Sequence, residues 1–457
     1  MRVLENYVLE FKNTPPTPLK RGMYRALLLT HIFNKETNKI YATLCVLFTK
    51  KSKMKTNKIN TPKANSQKPV AKSQKLKILM SGGGSGGHVF PAIAIADAIE
   101  KLAPDTAFLF VGANGKIEMT AVPKAGYEIV GLPIDGLYRD LSLRTLKFPF
   151  KLIYSIIKAW FVVGKFKPDV AIGTAGYASG AALKVAEWKG IPTFLQEQNA
   201  YPGITNKLLG KGAKRIYVAF ETLHKFFPRQ KLVLTGNPLR SSVSIENVNR
   251  EVAFKHFDLD PNKKTIFLTG GSLGARTLNK AMAQNLEKYK AEDIQLLWQC
   301  GKVYKDEYLK YNSKNVKVLA FIDRMDYAYA LADVLITRAG AGTISELALL
   351  GKPAILVPSP NVAEDHQTKN VMALVDKKAS ILVKDKNAIE QLVEVAIELL
   401  NNEEKKKRLG ENIKKLAKPN AAEQIAKSIL NEIQPEENWI DADSTEYDDC
   451  YGGNCSS

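Results

Sequence analysis

The chain has 457 residues, 45% apolar and 25% charged, with a net charge of +20 and four cysteines. That length exceeds one ordinary core and predicts two domains with extensions, while Cys45, Cys300, Cys450 and Cys455 are too few and too scattered for a disulfide framework. The balance excludes a fibrous or disulfide-stapled protein, and a basic surface suits an anionic ligand or an anionic membrane, with nucleic acid as the weaker alternative.

The charge is unevenly spread. Residues 1–75 hold 16 Lys/Arg against 3 Asp/Glu, and residues 435–457 hold 7 Asp/Glu and no Lys or Arg. The opening 22 residues lack a basic cap followed by an apolar run, so they do not read as a secretory signal. The apolar patches at 26–33 and 40–48 are shorter than the roughly 20 residues of a membrane span. Residues 50–75, rich in Lys, Asn and Ser, predict disorder. We expect 1–75 to be a leader, with the native start at Met54 or with residues 1–53 dispensable.

From Lys77 onward short apolar runs alternate with amphipathic stretches. Strands are predicted in "KILMS", "AFLFVG", "YEIVGL", "DVAIGT", "TFLQE", "RIYVAF" and "LVLTG", and after "NPLR" in "TIFLTGGS", "IQLLWQCG", "VKVLAFI", "DVLITRAG", "PAILVP" and "ASILVKD". Such βαβ texture implies parallel sheets covered by helices. The fold class is therefore α/β with two Rossmann-like domains, 76–238 and 239–419. A helix at 420–434 could lie on either domain, and an acidic disordered tail covers 435–457.

Three glycine turns each lead from a strand into a helix: Gly82–His88, Gly270–Ala275 and Arg338–Glu346. Helix N-termini present unpaired N–H groups and partial positive charge, so each suits a phosphate. One such turn can serve packing alone; three in facing domains point to a diphosphate ligand in the cleft. The first turn departs from the dinucleotide pattern and "AFLFVGANG" ends without a ribose-holding acid, which argues against a dehydrogenase. The five histidines and the Asp-x-Asp pairs lack ligand spacing, so no metal and no cofactor is expected. Helix ends and hydroxyls would then stabilise a departing diphosphate.

"GGGSGGHVFP", "GYASG", "QEQNAYPGITNK", "GNPLR", "GGSLGARTLN", "FIDRMDYAYALADVLITRAGAGTISELALLGKPAILVP" and "EDHQTKN" together resemble the MurG family over about residues 76–434. The resemblance implies a B-type glycosyltransferase fold with the active site in the interdomain cleft. It also implies an inverting transfer of N-acetylglucosamine from UDP-GlcNAc to undecaprenyl-linked lipid I in peptidoglycan synthesis. By the same resemblance Glu346 holds the uridine ribose, and the backbone of Ile322 reads the uracil. Ser272 lies near the donor phosphates, and Ala341, Gly342, Thr343, Ile344 and Ser345 cradle the nucleotide sugar. Arg240, Asn199 and Gln367 contact the donor, and Ser85, Gly86 and Gly87 face the sugar and the acceptor diphosphate. Ordinary readings stand beside these: a helix cap for Asn199, a helix-face acid for Glu346, a surface ion pair for Arg240.

Two departures from the family pattern stand out. Gln196 occupies a position where many members have histidine, and the 75-residue leader has no counterpart. An inverting transfer needs a base for the acceptor hydroxyl. His88 follows the first turn at a helix start, where partial positive charge favours a neutral ring, and Glu197 is the runner-up. Residues 141–169 mix aromatic side chains (Phe148, Phe150, Tyr154, Trp160, Phe161) with Arg144, Lys147, Lys151, Lys158, Lys165 and Lys167. They read either as a core helix with snorkelling lysines or as a docking face for the anionic inner-membrane surface, where each Lys adds about 1 kcal/mol. The expected setting is peripheral, on the cytoplasmic face, with wall-synthesis and division proteins as candidate partners and no nucleic acid. The rivals are another enzyme of the same fold, a UDP-sugar epimerase or glycolipid synthase, or a non-catalytic wall-synthesis scaffold.

Overall fold

The computed structural model describes residues 75–433 apart from 135, 137–142, 240–244, 246 and 247, and apart from the side chains of 143–147 and 363. The leader up to residue 74, the acidic tail, Arg240 and the side chains of Arg144 and Lys147 lie outside the described residues.

The first sheet contains β1 (Lys77–Ser81), β2 (Ala107–Ala113), β3 (Ile129–Leu132), β4 (Val170–Gly173), β5 (Thr193–Glu197), β6 (Arg215–Val218) and β7 (Leu232–Leu234), ordered β3-β2-β1-β4-β5-β6-β7. The second contains β8 (Thr265–Thr269), β9 (Gln295–Gln299), β10 (Val316–Leu319), β11 (Val334–Thr337), β12 (Ala354–Leu356) and β13 (Ile381–Leu382), ordered β10-β9-β8-β11-β12-β13. Every pairing is parallel. Central runs such as Thr265–Thr269 and Gln295–Gln299 are buried along their whole length, the pattern of strands covered on both faces.

Helices α1 (Gly86–Leu102), α2 (Glu118–Lys124), α3 (Leu143–Phe166), α4 (Tyr177–Trp188) and α5 (Ile204–Leu209) belong to the first sheet. The second carries α6 (Arg250–Phe257), α7 (Arg276–Gln284), α8 (Leu286–Ala291), α9 (Lys305–Tyr308), α10 (Met325–Leu331), α11 (Ala341–Leu350), α12 (His366–Val375), α13 (Ala388–Asn401) and α14 (Glu403–Lys414). The last helix, α15 (Ala421–Ile433), returns to the first sheet. Its Ile425, Ala426, Ile429 and Leu430 share one core with Ile78, Met80, Ile95 and Tyr217. Each buried Ile or Leu there contributes about 1.5–3 kcal/mol. Tyr217 adds a hydrogen bond to Ser428 (2.9 Å), and Glu432 pairs with Lys214 and Arg215.

Each sheet reverses its strand order once, at β1/β4 and at β8/β11. Those reversals leave a crevice outside the strand C-termini, the place where open α/β sheets bind ligands. The first and third glycine turns, and the second, all lie at these two crevices. Pro91 is the sixth residue of α1, past the first turn, so it withholds a bond from the Gly87 carbonyl.

Candidate active site

The first turn is built by close approach. A Cβ on Gly83 would stand 2.1 Å from Glu118 Oε1, and one on Gly176 would stand 2.5 Å from the Gly83 carbonyl, so both positions exclude any larger residue. Glu118, at the start of α2, is fully buried beneath the turn. It accepts from Gly84 N–H (2.9 Å) and Ala113 N–H (2.9 Å), and Gly83 N–H donates to the Ala175 carbonyl (3.3 Å). With those two N–H groups committed, Ser85, Gly86 and Gly87, at the start of α1, are left as the turn's donors to a ligand.

His88 stands half-buried in the first turn of α1. Its Nδ1 lies 2.9 Å from the Gly83 carbonyl. A carbonyl only accepts, so Nδ1 carries the hydrogen, and in the neutral ring Nε2 keeps its lone pair. The His88 carbonyl accepts from Thr174 Oγ1 (2.7 Å), which fixes the backbone that aims the ring.

Glu197, the alternative base, is used differently. Only 1% exposed, it accepts from Asn199 N–H (3.1 Å) and Nδ2 (3.2 Å) through Oε1, and from Gly203 N–H (3.1 Å) and Asn206 Nδ2 (2.9 Å) through Oε2. Four donors occupy a carboxylate that has no open approach for a substrate hydroxyl. It holds the loop 198–206, and with it Asn199.

In the second crevice the turn after β8 is closed by backbone. A Cβ on Gly274 would meet the Cys300 carbonyl at 2.0 Å, and Ser272 is exposed at the turn's tip with its carbonyl accepting from Lys302 N–H (3.2 Å). Gln299, buried on β9, links two donor-side segments. Its Oε1 accepts from Ile322 N–H (2.7 Å) and its Nε2 donates to Thr269 Oγ1 (2.9 Å), which also accepts from Gly271 N–H (3.1 Å). Ile322 therefore has its carbonyl, not its N–H, left for a base.

Helix α11 begins with Ala341, Gly342 and Thr343 after an extended Gly340 and has no side-chain cap, so its first N–H groups point at the crevice without intrahelical partners. Ile344 packs into the core, Ser345 Oγ donates to the Ala341 carbonyl (3.0 Å), and Glu346 lies one turn further along. Tyr329 donates its hydroxyl to Glu346 Oε2 (2.7 Å). Burial, then the Glu346 carboxylate, pushes the Tyr329 phenol well above its ordinary value, so it remains a donor. Gln367, at the start of α12, accepts from Ser359 N–H (2.8 Å) through Oε1, which leaves its amide nitrogen toward the loop. Glu118, Gln299 and Tyr329 were not singled out from sequence. Each acts through a tertiary contact that no local pattern announces.

Helix α3 is buried on one side and displays apolar side chains on another. Ala159 and Val163 are buried, whereas Phe150 (73% exposed), Ile153, Tyr154, Ile157 and Phe161 (71%) form one exposed stripe at helical spacing. Trp160 does not belong to that stripe: it packs on the core with Lys189 Nζ 3.8 Å above its ring, and Lys158 donates to the Gly131 carbonyl (2.8 Å). No helix among the described residues is long and apolar enough to cross a membrane.

Residues 78–218 match the model of the glycosyltransferase family 28 N-terminal domain, and residues 265–425 match the C-terminal domain of the same family. A UDP-N-acetylglucosamine–N-acetylmuramyl-(pentapeptide) pyrophosphoryl-undecaprenol N-acetylglucosamine transferase of Flavobacterium psychrophilum is 50% identical over 362 residues, 79% of this chain and 99% of the relative. The protein of the same name in Bacteroides fragilis is 49% identical over 365 residues, 79% and 96% of the two chains. Among solved structures, MurG of Acinetobacter baumannii superposes with a TM-score of 0.62 at 26% identity, covering 78% of this chain and all of that one. A UDP-N-acetylglucosamine 2-epimerase shares the fold alone, at 14% identity and a TM-score of 0.54. The chain belongs to glycosyltransferase family 28, within its MurG group.

Proposed function

We propose that the protein transfers N-acetylglucosamine from UDP-GlcNAc to the muramoyl 4-hydroxyl of lipid I, forming lipid II. The observation that carries this reading is the near-full-length match to transferases of that name, in a chain whose two crevices both hold ligand-ready turns. UDP sits on the second sheet. Its phosphates meet the N–H groups of Ala341–Thr343 and the Ser272 turn, its ribose meets Glu346, and its uracil meets the Ile322 carbonyl. Asn199 and Gln367 reach the sugar from the two sides, and Arg240 adds a donor contact. The acceptor diphosphate lies over Ser85–Gly87.

The chemistry is one displacement. The acceptor oxygen attacks the anomeric carbon, the bond from that carbon to the β-phosphate oxygen breaks, and UDP leaves with the electron pair. The hydroxyl proton passes to His88 Nε2. Fixed N–H dipoles at a helix start stabilise the departing charge because they need no reorganisation during the step.

The lipid acceptor places the work at the cytoplasmic face of the plasma membrane, with the Phe150–Phe161 stripe of α3 lying on the anionic surface as part of wall building. The test is an assay of radiolabelled UDP-GlcNAc with a lipid I analogue, beside hydrolysis and epimerisation controls. Label should enter the lipid product. Label released as free sugar, or converted to an epimer without acceptor, would overturn the reading in favour of an epimerase-like enzyme.

A further inference from the structure

We propose that Asn237 and Asn370 are positioning residues for this transfer, each anchored in one half of the molecule and reaching into the other, so that together they set the spacing between the His88 turn and the donor helix α11. The proposal rests on the transferase reading above for its kinetic consequences, but its geometry is independent of it.

Asn237 follows β7 and is only 4% exposed. Its Oδ1 accepts from Gln196 Nε2 (3.1 Å). Its Nδ2 lies 3.2 Å from the Gln198 carbonyl on its own side, and 3.0 Å from Ser345 Oγ and 3.4 Å from the Ala341 carbonyl on the other. Asn370, on α12 and fully buried, does the reverse. Its Oδ1 accepts from Ala200 N–H (2.8 Å) in the first half, and its Nδ2 donates to Asn199 Oδ1 (3.1 Å) and to the Ala339 carbonyl (3.3 Å), just ahead of α11.

These contacts continue to the base. Gln198 Nε2 donates to the Thr174 carbonyl (3.0 Å), and Thr174 Oγ1 donates to the His88 carbonyl. The path His88–Thr174–Gln198–Asn237–Ser345 thus joins the proton acceptor to the helix that holds the donor. Asn370 has a second effect. Asn199 is held through Oδ1 by Asn370 and through one N–H by Glu197, which leaves its second amide hydrogen as its available donor. Asn199 is therefore oriented for a sugar only when the two halves are together.

The chemistry of the links fits a joint that must form and release on every turnover. All are neutral amides and hydroxyls, whose exchange with water on opening is nearly balanced, unlike a buried ion pair. Gln196 takes part in the same cluster, donating to Asn237 and meeting Gln198 Nε2 through Oε1. That gives the glutamine a structural use as one donor and one acceptor, with no acid–base step.

The test uses the full chain with Asn237→Ala, Asn237→Asp and Asn370→Ala, read in three ways. With saturating UDP-GlcNAc and lipid I analogue, kcat should fall at least about tenfold in each, while the UDP dissociation constant by calorimetry stays within about threefold. Hydrogen exchange should accelerate at amides 198–200 and 339–345, with the β1 and β8 amides unchanged. Asn237→Asp, which keeps the shape but loses both N–H donors, should behave like Asn237→Ala. Exchange and turnover within about twofold of wild type in these variants would overturn the proposal, as would UDP affinity falling in step with kcat, which marks a plain donor contact. Should Asn237→Ala fail to fold, Asn370→Ala reads the same joint from the other side. If wild type itself transfers no sugar, the transferase reading fails, while the exchange data still decide the joint.

Discussion

The two crevices are built on the same plan and held by different means. Under the His88 turn lies a buried carboxylate, Glu118, which draws the Gly84 N–H down and away from any ligand. In the second crevice the equivalent bracing comes from a neutral amide, Gln299, and from backbone pressed against backbone at Gly274 and Cys300. The Glu118 charge is taken up by two backbone N–H groups, which leaves those at the start of α1 for a ligand, whereas Gln299 fixes its turn without any charge. In the proposed transfer this division puts the charged brace beneath the turn that carries His88 and the neutral brace beneath the donor turn.

The largest break in that division should come from His88→Ala, with kcat lower by at least about 10²-fold, the scale of a lost general base, and UDP affinity unchanged by calorimetry. Next is Glu346→Ala, on the donor side only. Loss of a charged hydrogen bond of about 1.5–3 kcal/mol should raise the UDP-GlcNAc KM roughly 10- to 150-fold, with kcat less affected. Tyr329→Phe sharpens the same point with a smaller, severalfold rise in that KM. Because the phenol is raised above its ordinary value, it stays protonated as pH rises. The wild-type donor KM should therefore show no loss of affinity from this group up to about pH 9.5, below the ordinary tyrosine range. Glu118→Ala strands the buried Ala113 N–H at a cost of about 1–3 kcal/mol and releases the Gly84 N–H at the exposed turn, and should lower Tm and acceptor turnover while sparing UDP binding.

The smallest expected effect concerns α3. Phe150→Ser with Phe161→Ser should weaken sedimentation with anionic vesicles and leave turnover of a short-chain soluble acceptor intact. Trp160→Ser should lower Tm instead, because that ring is packed rather than displayed.

Much of this was legible beforehand. The thirteen strand segments from Lys77 to Asp385 matched thirteen strands because buried parallel strands are continuous apolar runs that interrupt helical periodicity. The glycine turns were visible for the same reason: glycine where a Cβ cannot fit is a local signal. The braces were not. Glu118 lies 34 residues from Gly84 and Asn370 lies 171 from Asn199, and only the folded sheets bring them into reach. Placing α15 required knowing which core had room for Ile425 and Ile429. Trp160 shared a composition with the exposed stripe but lies about 100° round the helix from Phe161, a single-residue step that composition cannot resolve. The role of Glu197 changed because four donors converge on it from a loop whose path the sequence did not reveal.

The central proposal is that His88, with Nδ1 fixed on the Gly83 carbonyl, takes the acceptor's proton at Nε2. The most direct measurement is kcat against pH, with both substrates saturating, for wild type and His88→Ala. Wild type should lose activity on the acid side, and His88→Ala should turn over slowly with that acid limb absent. An acid limb retained unchanged in His88→Ala would contradict the account and move the proton acceptor to another group.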